Sequence, residues 1–233
     1  MAESFTESGR ENYRSVPEAM VRAIRHEVGD LLQKVYASVA ILRDRIPAEK
    51  ELERGVLTRL WSRAETCKRV LDTAHDYICP VTLDIQPVDL ALVTSALAAN
   101  ARERHPQLEI APESSGLAVI NADLKRVSQV GELLLANACE MGETRVRMKV
   151  TAFPERKEVE WEVSDDGPGM DYNLTGQLFT PFFTTRSGHT GLGLALARKL
   201  VQMHGGRITA GNAPGKGFQA RVIFPVGQAE PLS

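Results

Sequence analysis

Three short runs between Val163 and Leu194 constrain this chain more than anything else in it. They are Asp165-Asp166-Gly167-Pro168-Gly169-Met170, Phe179-Thr180-Pro181-Phe182-Phe183 and Thr190-Gly191-Leu192-Gly193-Leu194. A carboxylate followed by spaced glycines makes a turn where backbone and ligand come close. The second glycine pair opens an apolar helix, predicted from Leu194 to Met203. Glycine is needed where φ is positive or where a Cβ would block a ligand, and amides at a helix start attract phosphate. Order and spacing together predict a nucleotide site. Twelve of the eighteen glycines fall between Gly142 and Gly217, so the demanding backbone geometry belongs to the loops of the second half.

The first half differs in character. Residues 1–15 are polar and read as a flexible tail. From about Pro17 to Ile46 apolar residues recur at Ile24, Val28, Leu31, Val35, Val39 and Leu42, in steps of three and four, one stripe on a long helix. Ile46-Pro47-Ala48-Glu49 breaks it, because proline disfavours helix in the residue before it. A second helix carries Leu52, Val56, Leu60, Ala64, Cys67, Leu71, Ala74 and Ile78 and stops at Cys79-Pro80. Such a hairpin, over residues 16–80, buries one face of each helix. A second copy completing a four-helix bundle is the economical solution, so a homodimer is expected.

Residues 81–228 read as a second domain. Helices are predicted over Val88–Ala101 and Lys125–Met141, with short strands at Leu108–Ile110 and Leu117–Ile120. Thr144–Val150 and Glu158–Val163 alternate like antiparallel neighbours, and further strands lie near Arg207–Ala210 and Phe218–Phe224. The fold class is α+β: a helical hairpin followed by an α/β sandwich whose sheet is covered on one face by helices.

Composition narrows the partners. A net charge of −2 gives no reason to expect nucleic acid or an acidic membrane surface. No run of about 18 apolar residues exists and the start is too polar for a signal peptide, so no membrane insertion is expected. Cys67, Cys79 and Cys139 lack metal-ligand spacing and read as reduced thiols of a cytoplasmic protein.

The whole pattern resembles the sensor histidine kinases of two-component signalling, which share the GHKL ATP-binding fold with gyrase, chaperone and mismatch-repair ATPases. Leu133-Leu134-Leu135-Ala136-Asn137-Ala138 is similar to the N box, and the resemblance makes Asn137 a ligand of Mg²⁺ bridging the phosphates. Asp165 to Met170 is similar to the first glycine box, with Asp165 on the adenine amino group and Gly167 and Gly169 shaping the turn. Phe179–Phe183, with Phe182, is similar to the F box of the ATP lid. Gly188 to Leu194, with Thr190, Gly191, Leu192 and Gly193, is similar to the second glycine box around the phosphates. Arg207–Val222, with Gly215-Lys216-Gly217, is similar to the hairpin that closes near the base. Arg186 and Thr184 or Thr185 are candidates to neutralise the transferring phosphoryl group.

Arg25-His26-Glu27 is similar to the H box. By the helical period His26 lies roughly 160° from the mean buried direction of the first helix, and is expected to face solvent. An imidazole nitrogen can attack the γ-phosphorus while a neighbouring carboxylate, here expected to be Glu27, holds the other ring N–H.

Four positions depart from the family pattern. Leu133 replaces the Asn or Glu four residues before Asn137 and cannot activate water, which argues against an ATP hydrolase. Glu140 replaces a common phosphate-contacting Lys. Asp30, followed by Leu31, stands where kinases that also dephosphorylate their partner carry Thr or Asn and then Pro. His189 replaces a commoner glycine in the lid.

The resemblance implies autophosphorylation of His26 from Mg·ATP and transfer to an aspartate of a response regulator docked on the bundle. The signal would enter through a separate sensor protein, the N-terminal tail or a cytosolic ligand. An alternative is a histidine phosphotransfer or scaffold protein of the same architecture with little autokinase activity; intact glycine boxes argue against it. A Ser/Thr kinase of the anti-sigma type lacks such a hairpin.

Overall fold

The computed structural model describes residues 8–47, 49–186 and 189–227, with side chains from residue 18. The chain divides into two compact units between Val81 and Thr82.

The first unit is an antiparallel pair, α1 (Ser8–Arg45) and α2 (Glu51–Ile78). Helix begins at Ser8, inside the segment whose polarity had suggested a flexible tail. The link is held by local bonds: Ile46 N–H donates to Leu42 O (3.0 Å), and the Arg54 guanidinium reaches the free Ile46 carbonyl (3.1 Å). Glu51 and Glu53 in the first turn of α2 favour its positive dipole end. At the other end Pro80 forces extended backbone on Cys79 (φ −76°, ψ 150°), which stops the helix.

Burial follows the apolar stripes expected on the two helices only in part: of their residues Val39 and Ala64 are buried, and Leu32 and Leu57, outside the stripes, join them. Leu32 and Val39 of α1 and Leu57 and Ala64 of α2 are buried between the helices, where the rings of Tyr36 and Trp61 also meet at a tilt of 54° with centroids 4.7 Å apart. Ile24, Leu31 and Leu42, with Leu52, Val56 and Leu60, remain exposed on this chain alone. Among the described residues no helix is long and apolar enough to cross a membrane.

The second unit opens with β1 (Gln86–Asp89) and α3 (Leu90–Arg104), followed by β2 (Glu109–Ser115), β3 (Val119–Ala122), α4 (Leu124–Met141), β4 (Arg145–Phe153) and β5 (Glu158–Asp165). It ends with α5 (Gly193–Met203), β6 (Arg207–Asn212) and β7 (Phe218–Pro225). The five-stranded sheet runs β2-β4-β5-β7-β6, parallel only between β2 and β4, and β1 pairs with β3 in a separate ribbon. Val88 therefore belongs to a strand, where it pairs with Ile120, and not to the predicted helix. Pro87 keeps Gln86 extended, and the Asp89 carboxylate caps α3 by accepting from Ala91 N–H (2.8 Å).

Alternation along β4, β5 and β7 sends Val146, Met148, Val150, Val159, Trp161, Val163, Ala220, Val222 and Phe224 to the helix-covered face. The other face is charged: Glu158 takes a bidentate pair from Arg207 (2.8 and 3.0 Å), and Glu162 accepts a single bond from Arg221 (2.9 Å). At the base of the helical layer His204 fixes α5 against α4. Its Nε2 accepts from Asp123 N–H (3.1 Å), so its proton sits on Nδ1, facing Leu200 O (2.7 Å).

Gly131 of α4 lies directly over Trp161. A Cβ there would come within 2.3 Å of the indole and 2.4 Å of Leu97. Gly131→Ala should therefore lower stability by about 1–3 kcal/mol in chemical denaturation, despite the better helix propensity of alanine.

Candidate functional site

The end of β5 builds the deepest part of the site. Asp165 is only 6% exposed. Its Oδ1 accepts from Gly167 N–H (2.9 Å) and Phe218 N–H (3.3 Å), while Oδ2 is buried with no partner among the described residues. Burial pushes the carboxyl above the ordinary aspartate range; the two amide donors offset part of that shift. A buried acceptor without a donor costs free energy, so this oxygen is shaped for a donor supplied from outside the chain. The backbone around it leaves no room for side chains. A Cβ on Gly217 (φ +96°) would lie 1.9 Å from Asp165 O, and one on Gly167 2.1 Å from Met141 O. Asn212 clamps the same loop through both amide atoms, accepting from Met170 N–H and donating to Met170 O, each at 2.8 Å.

Helix α4 supplies the next wall with half-buried Leu133 and Asn137. Leu133 faces the start of α5, 3.7 Å from where a Gly193 Cβ would sit, so no carboxylate occupies that place. The first turn of α5 has no side-chain cap, because Leu192 precedes it, and its amides are open to an anion. Thr190 precedes this turn and Leu194 lies within it.

The lid segment closes on itself. Phe182 N–H donates to Gly191 O (3.1 Å), with positive φ at both residues (65° and 66°), and Phe182 is 68% exposed. Thr184 Oγ accepts from Arg186 N–H (3.1 Å). Arg186 then reaches α4, donating to Asn137 Oδ1 (2.6 Å) and Glu140 Oε2 (2.8 Å). Gly188 lies outside the described residues.

In the helical unit His26 projects from α1 with 80% of its side chain exposed. It borders a groove also lined by Arg22, Arg25, Lys68, Asp72 and His75, where Arg25 pairs with Asp72 (2.8 Å). The carboxylate beside its ring is that of Asp30, with Oδ2 3.5 Å from Nδ1. Glu27 follows His26 by one residue and so projects about 100° away around the helix, whereas Asp30 lies one turn on, on the same face.

Residues 122–228 match the family of histidine kinase-, DNA gyrase B- and HSP90-like ATPases. Over 212 residues the chain is 30% identical to the sensor histidine kinase ZraS of Escherichia coli strain K12, covering 89% of this chain and 45% of that protein. It is 27% identical over 214 residues to the signal transduction histidine-protein kinase AtoS of the same strain, covering 89% and 34%. Full-length ShkA, solved in complex with AMPPNP, superposes with a TM-score of 0.74 at 25% identity, covering 92% of this chain and 47% of that one. Along about nine-tenths of its length the chain is thus similar to sensor histidine kinases. It spans less than half the length of these relatives.

Within this domain the two adjacent aspartates divide the labour. Asp165 faces the cleft, whereas Asp166 binds the loop between α4 and β4. It accepts from the backbone N–H of Glu143 (2.9 Å), Thr144 (3.0 Å) and Arg145 (3.1 Å) and from the Thr144 hydroxyl. Partial burial opposes its charge, but those donors outweigh it and hold the carboxyl well below its usual range. Neither this role, nor the clamp by Asn212, nor the placement of Asp30 had a signal in the sequence beyond residues suited to turns.

A depressed folded pKa means that the Asp166 contribution is complete above its unfolded value of about 4 and fades as pH falls toward the lower folded value. Asp166→Ala should therefore cost about 2 kcal/mol at pH 7. The gap from wild type should narrow below pH about 4 in urea titrations.

Proposed function

We propose that this chain is the catalytic core of a kinase that phosphorylates its own His26 from Mg·ATP and hands the phosphoryl group to an aspartate of a response regulator. The observation that carries the reading is the buried, unpartnered Oδ2 of Asp165, which suits the exocyclic amine of adenine. The AMPPNP complex of the related ShkA supports the same cleft. Gly191, Leu192 and Gly193 lead into the open first turn of α5, whose amides suit the phosphates. Asn137 Oδ1 is the oxygen that would hold Mg²⁺, whose charge screens the phosphates when bound.

At the acceptor, Asp30 beside Nδ1 favours the tautomer with its proton on that nitrogen, leaving the Nε2 lone pair outward. Nε2 attacks the γ-phosphorus, the N–P bond forms as the bond to the β-phosphate oxygen breaks, and ADP leaves. The Asp30 carboxylate then stabilises the positive ring. Arg22, Arg25 and Lys68 give the groove a cationic border suited to an acidic receiver domain. On each helix of the hairpin the exposed apolar residues lie away from this groove by the helical period. That geometry supports a homodimeric four-helix bundle with both acceptors outward.

Incubation with γ-labelled ATP and Mg²⁺ should leave acid-labile, alkali-stable label on the protein. His26→Ala and Asn137→Ala should each abolish it, and Asp165→Asn should weaken nucleotide binding about tenfold or more. Uptake of phosphate only from another phosphorylated protein, never from ATP, would replace the kinase reading with that of a phosphate relay. For the bundle, light scattering should give a dimer at micromolar concentration, and Leu31→Glu with Leu42→Glu should give a folded monomer. A monomeric wild type would overturn the bundle.

A further inference from the structure

We propose that Glu140 latches the nucleotide lid onto α4 in a state that excludes the divalent cation from Asn137. The inference rests on the nucleotide reading of the cleft and concerns its regulation.

Asn137 and Glu140 are three residues apart on α4 and share one face. The Arg186 guanidinium spans them as a fork, 2.6 Å from Asn137 Oδ1 and 2.8 Å from Glu140 Oε2. His189 brings Nε2 to 3.5 Å from the same Glu140 oxygen, so two lid side chains converge on one carboxylate. The contact is part of a defined loop shape. Thr184 Oγ accepts from Arg186 N–H, and the Phe182–Gly191 bond pins the base of the lid. Phe182 holds a positive φ that a bulky side chain rarely adopts, a strained hinge of the kind found in segments that change conformation.

Asn137 offers one carboxamide oxygen to this cleft. A metal ligand oxygen sits about 2.1 Å from Mg²⁺, and a guanidinium 2.6 Å from that same oxygen would be forced against the ion's charge. Arg186 and the metal therefore exclude each other. Glu140 decides the balance, since its carboxylate is what the departing guanidinium must leave. Where the family commonly places a lysine that assists the phosphates, this chain places an anion that retains the lid.

Glu140 is on the exposed side of α4, so Glu140→Gln preserves shape and fold while removing the charge. Calorimetric titration with Mg·ADP should show affinity two- to fivefold tighter in the variant, the range expected for a partly exposed ion pair. With excess EDTA the two proteins should bind ADP equally. In nucleotide-free protein, amide hydrogen exchange at residues 184–186 and 189–190 should be faster in the variant. Unchanged or weaker Mg·ADP binding by Glu140→Gln, beside a wild type that binds, would overturn the latch and leave the nucleotide site standing. Tighter binding without faster exchange would overturn it too, because the substitution would then act on the nucleotide directly. If the wild type binds no Mg·ADP, the reading of the cleft has itself failed and the latch falls with it.

Discussion

Side-chain alternation along β5 carries Asp165, the last residue of the strand, into the helix-covered layer, and Asp166 follows directly after it. Burying a carboxylate is costly unless amides point at it, and here they do: Gly167 N–H and Phe218 N–H approach the same oxygen from the loop and from β7. Those approaches require the backbone of Gly217 to pass against the backbone of Asp165, at a distance no side chain tolerates. The β5–β7 register, with Ser164 opposite Gln219, sets that passage. The sheet thus places one carboxylate oxygen where its hydrogen-bonding capacity is unspent. Asp166 meanwhile ties the strand end to the α4–β4 loop, so the cleft wall and the sheet move as one piece.

The hairpin follows a different constraint. A helical period of 3.6 residues spreads the apolar positions of α1 over more than one direction. Leu32 and Val39 meet α2, while Ile24, Leu31 and Leu42 point elsewhere. The side that carries His26 is left polar, with Arg25 and Asp72 paired across the groove. Exposure of the imidazole is thus a consequence of apolar patterning on the rest of the helix, and it costs little because no buried partner has to be arranged.

Much of this was legible in the chain. The elements with strong periodicity, α4, α5, β4, β5 and β7, lie where patterning places them, because burial on one face dominates their energetics. The ribbon strand β1 was not legible: Val88 reads as the start of an apolar helix until the cap at Asp89 and the restriction before Pro87 are weighed together. Gly167, Gly169 and Gly191 of the glycine boxes were readable because a side chain at any of them would collide with its surroundings. What alternation and spacing could not supply was partnership across the chain. Nothing in Asn212 announces a clamp on Met170, 42 residues away. Asp30 was noticed as a departure from the family, yet its place beside His26 depends on the i to i+4 geometry of the helix rather than on adjacency.

The sign of the charge at position 140 changes how the cleft handles an anion. A lysine on a rigid helix attracts phosphate whatever the lid is doing, so affinity is set by the helix alone. An anion at that position instead engages the lid side chains Arg186 and His189. The positive charge near the phosphates must then come from the mobile partner, and it becomes available only when that partner leaves Glu140. Binding is thereby coupled to lid position through one carboxylate, at a partly exposed site where each contact is worth little and the balance is easily shifted. At such a near-balanced element a small bias at the lid suffices to change the occupied fraction.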